Sequence, residues 1–296
     1  PADITVTENE DGTVYYDFKM REDLKFSDGT PIDIDDYIFS LYVFLDPTYD
    51  GSTTMYSTPI QGMEAYRSGM ETLYKLLVAA GRDNTDFTYW DEETQKAFWE
   101  DLDTVAGPAF AQSIIDYCIS AGYAEEGDIK AASGAWGYEA ESAEEMYQLM
   151  CETYEGDLLA MSDAEAASSS LFSYMKDYDK YAIGVQTGDS AANISGIQRT
   201  GDYSLRIVAD SLDATMIYQF NTPIAPLHYY GDEEQYDYDN NKFGFPKGDL
   251  SIIREKTTTP LGAGPYTFKE YSNRVVYLEA NPEYYKGLAK TKHLKF

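Results

Sequence analysis

The sequence predicts a mixed α/β protein in which a strand-rich frame is interrupted by a long, mostly helical insertion. Three observations predict it. Val14, Tyr16 and Phe18 alternate with Tyr15, Asp17 and Lys19, the period of a half-buried strand. From about residue 59 to 178 apolar residues recur at helical spacing instead, as in Met63, Tyr66, Met70, Tyr74 and Leu77. After Tyr181 the period of two returns.

Residues 3–9 and 13–20 flank Glu10-Asp11-Gly12 and read as a β-hairpin. Phe26-Ser27-Asp28-Gly29-Thr30-Pro31 is dense in turn formers. A helix then starts at Asp33, whose carboxylate suits the free N–H groups of a first turn, and Asp36 favours the helix dipole. Ile34, Tyr37, Ile38, Leu41 and Leu45 form its apolar stripe, and Pro47 closes it. The helical block, more than half helix by its spacing, is punctuated by Gly81, Gly107, Gly122 and Gly134, and its Met and aromatic stripes read as core. Strands are expected at 194–198, 203–209 and 215–220, with the first two joining the hairpin in a mixed sheet. A polar Tyr, Asp and Asn stretch at 231–247 precedes further strands at 266–268 and 275–278. The last residues, Leu294-Lys295-Phe296, read as mid-strand, and the first is not Met, so the chain is expected to be incomplete.

A length of 296 residues, 43% hydrophobic and 25% charged, suits a soluble fold of about two domains. No run reaches the ~20 apolar residues of a membrane span. The net charge of −30 repels phosphate backbones and anionic lipid, which makes nucleic acid a poor partner. Cys118 and Cys151 are too far apart for a CxxC motif, and with only His228 and His293 beside them a metal or redox centre is not expected. They read as unbonded, buried thiols.

No serine-hydrolase elbow or phosphate-binding P-loop occurs, and Gly262-Ala263-Gly264 lacks the third glycine of a dinucleotide fingerprint. Asp237 to Asn241 resembles the start of a calcium loop. Lys242 and Gly248 stand where such a loop needs Gly and Glu, so a solvated loop is the better reading. No catalytic residue, metal or cofactor is therefore assigned.

Two segments carry a family resemblance. Tyr15 to Leu45, with Lys25-Phe26, Asp28-Gly29-Thr30-Pro31 and the capped helix at Asp33 to Asp36, is similar to the signature of the family 5 bacterial extracellular solute-binding proteins. Pro260-Leu261-Gly262-Ala263-Gly264-Pro265-Tyr266, then Val275 to Leu278 and Asn281-Pro282-Glu283-Tyr284-Tyr285, resembles that family's G-T-G-P-Y and N-P-x-Y-W stretches, with Ala263 for Thr and Tyr285 for Trp. The resemblance implies a periplasmic-binding-protein type II-like fold that binds a peptide or other small solute and delivers it to an ABC transporter permease. It also implies an extracellular or periplasmic location, with membrane attachment only through a lipid anchor outside this chain. Residues 1–58 and 179–214 would form the signature lobe, 59–178 a helical insertion, and 215–296 part of a first ligand-binding lobe. The later, ligand-selective lobe is expected beyond Phe296, and solute binding by this chain alone is expected to be weak.

Asp28, Gly29, Thr30, Pro31, Asp33 and Gly262 are read first as scaffold. Gly264, Pro265 and Tyr266 are the candidate ligand-binding residues, Tyr266 offering a ring and a hydroxyl. Two other functions remain open. One is an acidic carbohydrate-active hydrolase, motivated by 52 carboxylates and 28 tyrosines. The other is a protein-docking role for the helical block.

Overall fold

A computed structural model describes residues 2–296 other than Ser52. Along the chain run β1 (Ala2–Glu8), β2 (Val14–Met20), α1 (Ile34–Leu45), α2 (Met63–Arg67), β3 (Met70–Thr72), α3 (Leu73–Ala80), α4 (Glu92–Asp101) and α5 (Gly107–Ser120). There follow α6 (Ile129–Trp136), α7 (Ala143–Thr153), α8 (Leu158–Glu165), α9 (Tyr178–Tyr181), β4 (Gly184–Gln186), β5 (Ile197–Gly201) and β6 (Ser204–Ala209). The last stretch holds α10 (Met216–Gln219), α11 (Leu227–Tyr230), β7 (Tyr236–Asp237), β8 (Lys242–Phe243), α12 (Ser251–Arg254), β9 (Tyr266–Ser272), β10 (Val275–Ala280) and β11 (His293–Lys295). The fold is mixed α/β, and it divides into two compact units: residues 1–70 with 186–296, and residues 71–185.

In unit one a four-stranded sheet runs in the order β1-β2-β6-β5. Every pairing in it is antiparallel, with Tyr16 opposite Val6 on one side and Ile207 on the other. The mixed sheet expected from the sequence is thus corrected: hairpins generate two of its three pairings, and hairpins join antiparallel strands. Helix α1 supplies much of the core, with ten of its twelve residues buried. Asp33 caps it by accepting from the N–H groups of Asp35 and Asp36, while Asp36 accepts from the Asp33 N–H, a reciprocal capping box. Strands β9, β10 and β11 form a separate antiparallel sheet in this unit.

The strand expected at 215–220 is instead the short helix α10. Met216 and Phe220, four apart, are buried while Ile217 and Tyr218 stay exposed, so burial follows a helical turn rather than alternation. Asp213 starts that turn by accepting from both the N–H and the hydroxyl of Thr215. In six residues the apolar run alone does not separate the two periods.

Unit two has its own core, in which Leu77, Phe98, Phe110, Ile114, Ile115 and Met146 are fully buried. Residues 59–178 are more than half helical, although α2 belongs to unit one, where Met63 and Tyr66 enter the other core. Gly81 and Gly122 follow helix ends in the left-handed region, but Gly107 does not interrupt its helix. Residues 92–120 are continuous helix, widened to π geometry at 102–106, where the Gly107 N–H reaches back to the Leu102 carbonyl. Pro108, without an N–H, cannot donate to this ladder, and a widened turn absorbs the missing bond. Gly107 is demanded by packing, because a Cβ there would clash with the Tyr147 ring. Cys118 is buried, Cys151 half-buried, and neither is bonded.

Removing the Asp33 cap is expected to lower unfolding free energy by about 1 kcal/mol. Denaturant titration of Asp33→Ala against the parent checks this; an Asp33→Asn variant should retain most of the lost stability.

Candidate functional site

The turn at 24–32 is built first by backbone demands. The Phe26 N–H donates to the Thr30 carbonyl, the Gly29 N–H to the Phe26 carbonyl, and the Ile32 N–H to the Leu24 carbonyl. Gly29 sits at φ +91°, where a side chain would be strained, and Asp28 accepts from the Thr30 N–H. The other Asp28 oxygen meets His228 Nε2 at 2.8 Å. Burial pushes the Asp28 carboxyl up, but hydrogen bonds from Thr30 and His228 outweigh it and leave its pKa below the usual value.

This turn and the distant glycine loop meet. The Ser27 N–H donates to the Gly262 carbonyl at 3.0 Å, and Lys25 Nζ lies 3.4 Å from Glu283 of the Asn281–Tyr285 stretch. Asn281, fully buried, donates its side-chain amide to the Gly264 carbonyl and its N–H to the Pro265 carbonyl. Tyr230 accepts from the Leu261 N–H, and the Tyr229 hydroxyl donates to the Thr259 carbonyl. The three motif segments therefore form one hydrogen-bonded body.

A cavity of about 460 Å³ opens between them. Its lining is largely apolar: Leu24, Ile32, Pro223, Ile224, Ala225 and Leu261, with Lys25, Tyr230 and Tyr285 contributing polar tips. Gly262, Ala263 and Gly264 form one wall. An ideal Cβ placed on Gly262 meets nothing within 4 Å, and one on Gly264 meets only the Tyr266 carbonyl at 3.9 Å. Neither glycine holds a positive φ. Backbone conformation is thus not what requires Gly262 and Gly264; their missing side chains leave space beside the cavity.

Of the candidate ligand-binding residues, Gly264 lines the cavity, while Pro265 and Tyr266 do not. Pro265 anchors Asn281, and Tyr266, the first residue of β9, donates its hydroxyl to the Thr291 carbonyl. Asp28, Gly29, Thr30, Pro31 and Asp33 build the turn and the cap, none of them reaching the lining. The acidic loop at 237–241 spends the Asp237 carboxylate on Asn240, through both its N–H and its side-chain amide.

Sequence reasoning missed the residues that hold the opposite wall. Asp36 accepts from the Leu227 N–H, Ser40 accepts from the Ala225 N–H, and the Tyr37 hydroxyl donates to the Phe220 carbonyl. These α1 side chains clamp the 220–227 segment that carries Pro223, Ile224 and Ala225. Two polar residues four apart within an apolar helix were the available signal. Burial drives the Asp36 carboxyl from 3.8 up to about 6, only partly offset by the Leu227 and Asp33 N–H groups. A second buried carboxylate, Asp46, accepts from Thr48 and the Gly248 N–H, and burial raises it as well.

The geometry is that of an apolar cavity between a clamped segment and a glycine wall. Residues 3–102 match the profile of "Bacterial extracellular solute-binding proteins, family 5 Middle". That match covers about a third of the chain. It is 30% identical over 95 residues to a probable di/tripeptide-binding protein 5 of Pseudomonas aeruginosa (strain UCBPP-PA14), a stretch covering 32% of this chain and 16% of the relative. Among solved structures, lactococcal OppA complexed with an endogenous peptide aligns over 99% of this chain and 31% of its own, at 15% identity and a TM-score of 0.43. NikZ from Campylobacter jejuni in complex with Ni(L-His) aligns over 98% and 29%, at 12% identity and a TM-score of 0.38. The chain thus spans less than a third of these proteins' lengths.

Because the folded pKa of Asp36 lies above its unfolded value, its stabilising contribution is complete below about pH 4 and is lost as pH rises through about 6. The stability of the parent minus that of Asp36→Asn should therefore grow on acidification from pH 7 to 4, by on the order of 2–3 kcal/mol. Chemical denaturation of both proteins across that range measures it; a difference that shrinks on acidification would contradict the assignment.

Proposed function

We propose that this chain is part of the solute-binding component of an ABC importer, exported to the cell surface or periplasm, with a peptide as its solute. The observation that carries the reading is the convergence of the Lys25–Pro31 turn, the Leu261–Tyr266 loop and the Asn281–Tyr285 stretch around one cavity. The profile match over residues 3–102 and the similarity to a di/tripeptide-binding protein support the solute class. At about 460 Å³ the cavity has room for an apolar side chain of such a solute, within the roughly 300–1,000 Å³ of small-molecule sites. Gly264 is the candidate contact at its wall, while Pro265 bonds Asn281 and Tyr266 bonds Thr291. Delivery to a permease and attachment through a lipid anchor belong to the same proposal.

Binding rather than catalysis is the reading the lining favours. Among the described residues no Asp or Glu lines this cavity, whereas glycoside hydrolysis commonly uses two carboxylates flanking one bond.

The test is calorimetric titration of a defined di- and tripeptide pool into the parent and Gly264→Phe. The substitution has open space to occupy and a backbone that accepts it, so its melting temperature should stay near the parent's. Peptide affinity should fall by about tenfold or more as the ring fills the cavity. Unchanged affinity in the variant would place the solute elsewhere.

A further inference from the structure

We propose that unit two carries a binding site for an organic cation, a guanidinium or alkylammonium group, at the cavity formed by Trp136, Tyr138 and Glu165. The cavity measures about 440 Å³, and Leu149, Thr153 and Glu139 complete most of its lining. At its centre the Glu165 carboxylate, half-buried at the end of α8, is held by three neutral donors. Trp136 Nε1 donates to Oε2 at 2.6 Å, and the Tyr138 and Tyr154 hydroxyls donate to Oε1 at 2.8 and 2.7 Å.

Three donors, from α6, its following loop and the C-cap of α7, fix the carboxylate in place but leave its charge unmatched. Among the described residues no Lys, Arg or His pairs with Glu165. Lys130 of α6 pairs with Glu141 at 3.2 Å. Hydrogen bonding to Glu165 raises the Tyr154 hydroxyl's pKa, and burial together with Glu165 raises that of Tyr138, so the negative charge is felt across the cluster.

The chemistry of an occupant follows from these facts. Oε2 receives one donor and retains an acceptor site, which suits a charged N–H group. Trp136 and Tyr138 supply π-systems beside it, and a cation gains from both the ring quadrupole and the carboxylate. Glu139 adds a second negative charge at the rim. Unit two as a whole, with 24 acidic and 6 basic residues between 71 and 185, concentrates cations and repels anions. An anionic or neutral polar solute gains none of this.

Butylguanidine and its neutral isostere butylurea are the probes, and the Trp136 indole N–H resonance of the whole chain is the readout. A saturable shift with butylguanidine and none with butylurea is the expected result. Glu165→Gln, which keeps the shape of the side chain, should weaken the response by about tenfold or more. An acetylated Gly-Arg-Gly amide, compared with its citrulline counterpart, distinguishes a basic peptide side chain from a free cation; tighter saturation by the arginyl peptide assigns the former, and saturation by butylguanidine alone the latter. Equal shifts from butylurea, or a non-saturating drift shared by all indole resonances, would overturn the site, and the parent protein alone suffices for both comparisons. So would an unchanged response in a folded Glu165→Gln. The site is independent of the unit one reading: Gly264→Phe should leave the cation response intact.

Discussion

Everything described in unit one depends on burying a helix that carries polar groups into the core. Helix α1 is enclosed on nearly all sides, and Asp36 and Ser40 are enclosed with it. A buried carboxylate or hydroxyl without a partner would cost more than the surrounding apolar contacts return. The partners are the N–H groups of Leu227 and Ala225, some 190 residues away in sequence. Satisfying those two side chains therefore fixes where the 220–227 segment lies, and with it one wall of the cavity. The raised pKa of Asp36 is the residual cost of that arrangement.

The other wall obeys a different constraint. Asn281 reaches back to two consecutive carbonyls of the glycine loop, and Ser27 takes a third. With three of its carbonyls committed, the loop presents Leu261, Ala263 and the bare backbone of Gly262 and Gly264 to the cavity. Gly29 shows what a conformationally required glycine looks like, at φ +91°; Gly262 and Gly264 show the alternative, where an ordinary conformation lacks a side chain that nearby space would accept. The two kinds are indistinguishable in a sequence motif. They differ in what substitution should do: strain in the first, occlusion in the second.

Unit two follows a third logic. Its core is apolar and closed, with Gly107 and Tyr147 in close approach and a π-widened turn accommodating Pro108. Most of the charge it carries is exposed, while at Glu165 aromatic donors hold a half-buried carboxylate at the edge of a cavity. Of the molecule's net −30, unit two contributes more than half from 115 of 296 residues. The acidity that the sequence shows as a global number is in the fold an uneven field.

Local order was legible in the residues themselves. Alternation at 14–20, the Asp33 cap with its Asp36 partner, and the Asp28-Gly29 turn are decided by neighbours within four or five residues, and the structure holds them as read. The helical character of the central block was legible for the same reason. What the sequence left undecided lies where a residue's partner is remote or a run is too short for its period to show. Residues 215–220 took helical burial because Met216 and Phe220 found the core together, which no six-residue pattern announces. The family motifs marked where the site's segments lie, but only the tertiary structure separated Gly264, at the cavity, from Pro265 and Tyr266, turned to Asn281 and Thr291. Only it assigned Asp36 to Leu227 and Glu165 to its three donors. A hydrogen bond across 190 residues is set by packing, and packing is a property of the assembled chain.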